Sequence, residues 1–178
     1  IVYRVKNKGK GDKRLREWTK EYFHELYEEH STMAYRLCML YLKNESDAKD
    51  ALQDLFLKLW EKKPKLKNKE HEKAWIIRAA KHRSLDILKS SWHKKRNVYE
   101  PDRQQVASET EKEDSLLNQI QKLPQKYREV LYLYYYEEYS VKEISNLTAR
   151  KESTIQSRLA AARQKLKSML EESKGDPI

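Results

Sequence analysis

Turn-forming residues are scarce in this chain, which holds three glycines and four prolines among 178 residues. Tight turns depend on these residue types, so their scarcity argues against a sheet-rich fold built from many hairpins. Charged residues make up 37% of the sequence, as is typical of long amphipathic helices with solvated outer faces. We therefore expect an all-α protein.

Cysteine and long apolar runs are also nearly absent. The one cysteine, Cys38, has no partner for an internal disulfide, and its apolar surroundings, MAYRLCMLYL, predict a buried core side chain. No apolar run approaches the roughly 18 residues needed to cross a bilayer. The sequence predicts a cytoplasmic protein with no membrane insertion.

Sequence signals for catalysis are missing as well. The chain contains no Gly-rich phosphate loop and no strand–turn–helix nucleophile motif. Its five histidines show no ligand spacing with a second ligating group on the same helix face. We expect neither an enzyme active site nor a metal or other cofactor.

What the chain has in excess is positive charge, with a formal net charge of +10. The excess is clustered. Residues 78–96 carry seven Lys or Arg against Asp86, and residues 150–167 carry six against Glu152. Clustered basic residues favour a polyanionic partner, although a merely solvated basic surface is the alternative.

Residues 140–166 predict two helices joined by a short polar turn. Ser140 stands three residues before Glu143 and Ser153 three before Gln156, so each helix is expected to open with a capping box. The second helix keeps an apolar stripe of Ile155, Leu159, Ala162, Leu166 and Met169. Its free face begins at the N-terminus, where recognition helices enter the major groove. This layout indicates a DNA-reading helix-turn-helix; a helical hairpin with a solvated outer face is the alternative.

A further helix is predicted over residues 47–62, capped by Ser46. Its core stripe at helical spacing comprises Ala48, Ala51, Leu52, Leu55, Phe56, Leu59 and Trp60. Leu57 falls on the opposite side among acidic residues, where it has no obvious partner within the chain. An apolar side chain in such a place indicates a docking surface, whereas a solvated face with one stray leucine is the alternative.

A basic segment follows this helix. Residues 62–73, KKPKLKNKEHEK, lack periodicity and contain Pro64, so they are predicted to form a loop. The next helix, 73–95, is expected to bury Ile77, Ala80, Ile87 and Leu88. Its other side presents Arg78, Lys81, His82, Lys89, Trp92, His93 and, just beyond it, Arg96. A basic stripe ending in an aromatic suits single-stranded nucleic acid, although Trp92 fits a core position equally well.

Residues 97–114 break every periodic pattern and hold six acidic side chains, which predicts a flexible acidic linker. It separates a first domain, 13–96, from a second, 115–172. In the first domain, scaffold helices are expected over 13–30 and 32–43. In the second, tyrosine-rich residues are assigned to the core rather than to a stacking platform, because a domain this small needs its apolar side chains inside.

Two segments carry a specific resemblance. SDAKDALQDLFLKLW followed by AWIIRAAKHRSLDILKSSWHKKR resembles region 2 of bacterial sigma-70-family factors, and LPQKYREVLYLYYYEEYSVKEISNLTARKESTIQSRLAAARQKL resembles their region 4. Together they resemble an extracytoplasmic-function sigma factor over residues 20–172, with no third structured region. The chain departs from many relatives in the turn, where Ala149 and Arg150 replace a glycine and an apolar residue.

The resemblance implies roles for the first domain. The exposed side of helix 47–62 would grip a coiled coil of the largest subunit of core RNA polymerase, through Asp47, Asp50, Gln53, Asp54, Leu57 and Lys58. The loop after it would capture a flipped base of the minus-10 element. Minus-10 contacts are expected from Lys65, Lys67, Asn68 and Lys69 on the loop and from Arg78, Lys81, His82, Lys89, Trp92 and Arg96.

For the second domain, the resemblance implies binding of the minus-35 element through Arg150, Lys151, Ser153, Thr154, Gln156, Ser157, Arg158 and Arg163. The expected function is promoter-specific initiation by core RNA polymerase, with promoter DNA and an anti-sigma factor as further partners. A free-standing helix-turn-helix regulator that acts without polymerase is the alternative, and a structural adaptor between proteins is the third possibility.

Overall fold

The computed structural model describes residues 17–95 and 114–172, and within these ranges the chain is helical with no strand. The helices are α1 (Lys20–Leu42), α2 (Glu45–Lys62), α3 (Lys69–Lys95), α4 (Asp114–Lys122), α5 (Gln125–Tyr135), α6 (Val141–Thr148) and α7 (Glu152–Glu172). The all-α expectation is confirmed. The predicted linker lies almost entirely outside the described residues. Among the helices described, none is both long and apolar enough to cross a membrane.

Helices α1, α2 and α3 pack together as a three-helix bundle. The predicted division of the first segment into two helices is wrong, because α1 runs without interruption for 23 residues. It starts where the side chain of Thr19 accepts a hydrogen bond of 3.1 Å from the amide of Tyr22. Leu26, Met33 and Leu37 continue one buried stripe through the expected break, so burial holds the helix together there.

Helix α2 begins earlier than predicted. Asn44, not Ser46, is the cap: its side-chain oxygen accepts a 2.9 Å hydrogen bond from the amide of Asp47. Five members of the predicted stripe are buried, while Leu52 and Trp60 are half-buried. The stripe therefore faces the bundle core, as the spacing predicts.

The loop between α2 and α3 is shorter than predicted. The side-chain oxygen of Asn68 accepts a 2.8 Å hydrogen bond from the amide of His71, so α3 begins at Lys69. Ile77 and Ala80 are buried as predicted, whereas Ile87 and Leu88 are half-buried. Asn68, which was expected to contact DNA, thus caps the start of α3.

Helices α4 to α7 form the second domain, in which α5 packs against α4, α6 and α7. Val130, Leu131 and Leu133 are buried, together with Tyr132. The assignment of this stretch to the core is confirmed for these residues, whereas Tyr134 is half-buried and Tyr135 is exposed. Cys38, in the first domain, is buried and free, as expected.

The helix-turn-helix is formed by α6 and α7, and one of its two predicted capping boxes exists. The hydroxyl of Ser140 accepts from the amide of Glu143 at 3.3 Å, while the carboxylate of Glu143 accepts from the amide of Ser140 at 2.8 Å. The second box is wrong because α7 already starts at Glu152, which places Ser153 inside the helix. In the turn, Ala149 adopts a left-handed conformation with φ 53°.

The two domains lie against each other. Helix α5 contacts α1, and α6 contacts α3. The hydroxyl of Tyr132, which is fully buried, donates a 3.5 Å hydrogen bond to the carbonyl oxygen of Met33 on α1. The second domain therefore covers part of the first.

Candidate nucleic-acid interface

A basic groove of 380 Å³ runs between α2 and α3. It is lined by Leu55, Lys58, Lys62, Trp75, Arg78, Ala79, His82, Arg83 and Asp86. Arg78 and His82, both predicted as minus-10 contacts, are exposed in it. Cations beside a half-buried indole can hold phosphates while a base stacks against the ring.

Lys62 and Trp75 line the groove but were not among the predicted minus-10 contacts, and Trp75 was expected in the core. Lys62 lies one helical turn after Lys58 on α2, and Trp75 lies one turn before Arg78 on α3, so each pair shares a helix face. This helical spacing from Lys58 and Arg78 could have identified Lys62 and Trp75 from the sequence. The structure also places Lys58, predicted as a polymerase contact, in the same groove.

The predicted loop residues are placed differently. Lys65 and Lys67 are exposed, but neither lines the groove between α2 and α3. Asn68 caps α3, and the ammonium group of Lys69 forms an ion pair with Glu29. The structure thus does not gather the loop side chains with the α3 side chains.

The remaining predicted α3 residues are also dispersed. Lys89 is exposed. Lys81 is half-buried and forms a 2.6 Å ion pair with Glu129 of α5, so it faces the second domain instead of the groove. The side chain of Trp92 and the whole of Arg96 lie outside the part of the chain that the structure describes.

An unpredicted polar cluster ties α1 to the start of α3. Glu29, His30 and Glu72 each have one side-chain atom that could bind a metal ion, and these three atoms lie within 4.8 Å of one another. The hydroxyl of Tyr22 donates a 2.7 Å hydrogen bond to Glu72, and Lys69 ion-pairs with Glu29 and lies 3.7 Å from Glu72. Burial lowers the pKa of His30. Because an ammonium group already sits between the carboxylates, we assign this cluster to structure.

The outer side of α2 presents Asp50, Gln53, Leu57 and Lys58 to solvent, while Asp47 is half-buried. Leu57 is 53% exposed. It lines an apolar groove of 360 Å³ together with Lys20, Phe23, Gln53 and Trp60. The rings of Phe23 and Trp60 meet edge-on with centroids 5.2 Å apart. Leu57 is therefore part of an aromatic-lined surface rather than an isolated residue.

The first turns of α7 carry exposed polar side chains, as the helix-turn-helix pattern predicts. Ser153, Gln156 and Ser157 are exposed and Thr154 is half-buried. Just before the helix, Arg150 and Lys151 are also exposed. These residues form a continuous polar end on α7.

Two arginines of α7 have intramolecular surroundings. Arg158 is half-buried, and its charge acts on Tyr41 of α1, whose pKa is raised chiefly by burial and by the nearby carboxylate of Glu129. Arg163 donates from Nε to the hydroxyl of Tyr135 at 2.7 Å and lies 5.5 Å from the ring of Tyr134. Both arginines were predicted to contact the minus-35 element, but the sequence did not predict these contacts within the chain.

Family models match both domains. The model described as sigma-70 region 2 matches residues 26–94, and that described as sigma-70, region 4 matches residues 113–166. Among relatives from Bacillus subtilis strain 168, the ECF RNA polymerase sigma factor SigM is 28% identical over 156 residues, covering 82% of this chain and 93% of its own length. RNA polymerase sigma factor SigV is 26% identical over 138 residues, covering 75% and 82%.

Solved structures share the fold. The sigma factor RpoE, in complex with the anti-sigma factor NepR from Bartonella quintana, has a TM-score of 0.72 at 18% identity and covers 89% of this chain and 100% of its own. CnrH, in complex with the cytosolic domain of CnrY, has a TM-score of 0.60 at 18% identity and covers 86% and 90%.

Proposed function

Because this chain belongs to the sigma-70 family, as a sigma factor of the extracytoplasmic-function type, we propose that its domains divide promoter recognition between them. A sigma factor directs core RNA polymerase to promoters. The first domain, residues 13–96, would bind the polymerase and the minus-10 element. The second, residues 115–172, would bind the minus-35 element, with residues 97–114 as the linker.

The groove between α2 and α3 carries the minus-10 assignment. It combines Lys58 and Lys62 with Arg78 and His82, and it has Trp75 as an aromatic wall. Single-stranded DNA needs this combination, since cations neutralise its backbone and an aromatic face stacks on a base without regard to sequence. Lys65 and Lys67 of the loop and Lys89 of α3 are also exposed, outside the groove, and add positive charge to the surface of this domain.

The N-terminal end of α7 supports the minus-35 assignment. Side chains in the first turns of a recognition helix reach base edges, while charged residues further along contact phosphates. Gln156 and Arg158 have the hydrogen-bonding groups that read adenine and guanine edges in the major groove. Arg150 and Lys151 in the turn are placed to hold the backbone.

The apolar groove around Leu57 supports docking on core RNA polymerase. Exposed leucine beside Phe23 and Trp60 offers an apolar anchor, and Asp50 and Gln53 surround it with polar groups. Interfaces concentrate binding energy in such a centre with a polar rim. A regulator acting without polymerase has no use for this surface, so the surface favours the sigma-factor function.

Catalysis would belong to the polymerase, and this chain would supply specificity in the cytoplasm, without a catalytic site or cofactor of its own. The fold neighbour from Bartonella quintana was solved with an anti-sigma factor bound. We include an anti-sigma factor among the partners of this chain, beside core RNA polymerase and promoter DNA.

The test is run-off transcription with purified core polymerase on a genomic promoter library, paired with a pull-down of core polymerase. The expected result is initiation at discrete sites that depends on this chain. Binding to duplex DNA without binding to polymerase would instead establish a free-standing regulator. Binding to polymerase with no change in its initiation sites would establish an adaptor.

A further inference from the structure

Two ion pairs cross the contact between the domains. Nζ of Lys81 lies 2.6 Å from a carboxylate oxygen of Glu129, and Nζ of Lys73 lies 2.7 Å from one of Glu137. Both glutamate side chains are 10% exposed. The pairs are therefore largely withdrawn from water, where ion pairs are weakly screened and breaking one is costly unless another charge replaces the lost partner.

Neither lysine lines the proposed minus-10 groove, but both lie on α3, which forms one wall of it. Lys81 follows Arg78 by one helical turn and directly precedes His82 on α3. The side chains of Arg78 and His82 line the groove. Lys73, two turns before Lys81, faces the same domain contact and is also 5.2 Å from the ring centroid of Tyr139. Basic side chains on α3 thus lie both in the groove and at the contact with the second domain.

We infer that Lys73 and Lys81 are DNA phosphate-binding residues, and that the carboxylates of Glu137 and Glu129 occupy their phosphate positions while the domains are packed together. Carboxylate and phosphate oxygens both accept charge-assisted hydrogen bonds from an ammonium group. The inference rests on the proposed function and adds Lys73 to its DNA-binding residues. It also makes the contact between the domains a competitor of DNA.

This competition has a measurable consequence. If only the separated arrangement binds DNA, the observed affinity equals the affinity of that arrangement multiplied by the fraction of molecules in it. Removing one carboxylate raises that fraction and leaves the DNA-binding side chain in place. The glutamate variants should therefore bind DNA more tightly than the unaltered protein.

The experiment measures fluorescence anisotropy of a labelled mixed-sequence single-stranded DNA titrated with the full chain. Glu129→Gln and Glu137→Gln should each tighten binding roughly three- to tenfold. The control is Glu138→Gln, which removes the same charge from an exposed neighbouring position and should change affinity less than about twofold. Equal changes in all three variants would overturn the inference, because only net charge would then matter.

A double-mutant cycle tests the lysine side. Lys81→Gln also breaks the ion pair and opens the domain contact, but it removes the phosphate-binding ammonium group, so it should bind DNA less tightly than Glu129→Gln. Glu129→Gln should bring no further gain in the Lys81→Gln background, because the pair is already broken there. Full additivity, or Lys81→Gln binding as tightly as Glu129→Gln, would contradict the inference. Thermal melting of each variant verifies that it is folded.

Failure of this inference differs from failure of the proposed function. If the unaltered chain directs promoter-specific transcription but Glu129→Gln matches Glu138→Gln in affinity, the inference alone is wrong. If the chain directs no transcription with core polymerase, the sigma-factor assignment is wrong, and the anisotropy series still decides whether these lysines bind phosphate.

Discussion

Asp54 of α2 forms an ion pair with Arg83 of α3, and their side chains are 38% and 30% exposed. Asp54 was predicted to contact the polymerase. Within this chain, however, its carboxylate joins two helices of the first bundle. Leu57, three residues later, makes no such connection and points outward.

Leu57→Ala should therefore weaken binding to core polymerase by about 1 to 3 kcal/mol, because an anchor at the centre of a small interface is lost. Its unfolding free energy should change by less than about 0.5 kcal/mol, as for other exposed substitutions. The measurements are a titration with labelled core polymerase and urea unfolding. Asp54→Asn is the comparison: breaking the ion pair with Arg83 should lower stability by about 0.5 kcal/mol. Unchanged polymerase affinity in Leu57→Ala would remove the apolar groove from the interface.

Ala149→Gly should stabilise the protein by about 1 kcal/mol. A residue with a Cβ is strained at φ 53°, whereas glycine adopts that conformation freely. The matched control is Ala160→Gly, at an exposed position within α7, which should lose about 1 kcal/mol because glycine disfavours helix. Thermal unfolding of both variants measures the difference, and a loss of stability in Ala149→Gly would contradict the turn geometry.

Lys62→Gln should weaken single-stranded DNA binding and lower the slope of affinity against salt by about one, since one phosphate contact is lost. Trp75→Leu should lose about 1 to 3 kcal/mol of binding with little change in that slope, because stacking is uncharged. Lys65→Gln, on the loop outside the groove, is the comparison. A larger effect at Lys65 than at Lys62 would return the minus-10 site to the loop.

Arg158→Ala should change base preference at the minus-35 element, because an arginine can bond a guanine edge with two hydrogen bonds worth about 1 to 3 kcal/mol of discrimination. Lys165→Ala, on an exposed position later in α7, should weaken all sequences alike. Selection from randomised minus-35 sites measures both. If Arg158→Ala keeps the original preference and binds more weakly, the reading residue lies elsewhere, with Gln156 the first to substitute.

Periodicity was enough to predict most of the helices and most of the core, although it divided α1 into two helices. The buried stripe of α2 follows the spacing of its apolar residues, and the capping box of Ser140 depends on residues three apart. The second box failed because local spacing does not determine where a helix starts: α7 begins before Ser153, and α2 is capped by Asn44 rather than Ser46. More than one candidate capping residue lies near each of these helix starts, and the packing of the helix determines where it begins.

The features missed altogether depend on residues distant in sequence. The groove joins Lys62 to Trp75 across two helices, and Lys81 meets Glu129 across 48 residues. No local pattern contains such pairings, since they follow from how whole helices pack. Charge clustering located the basic helix α3 correctly, but it did not show which of its lysines faces another domain.

The contact between Tyr132 and Met33 joins residues 99 positions apart, which bears on the order in which the protein folds during synthesis. The bundle of α1, α2 and α3 emerges from the ribosome before α5 and has its own core. Domains generally fold as units in the order in which they are made. We therefore expect the first domain to fold before Tyr132 is synthesised, with its basic face uncovered during that interval. Closure of the two domains would then be the last step of folding, and we expect it to be the first to reverse on local unfolding.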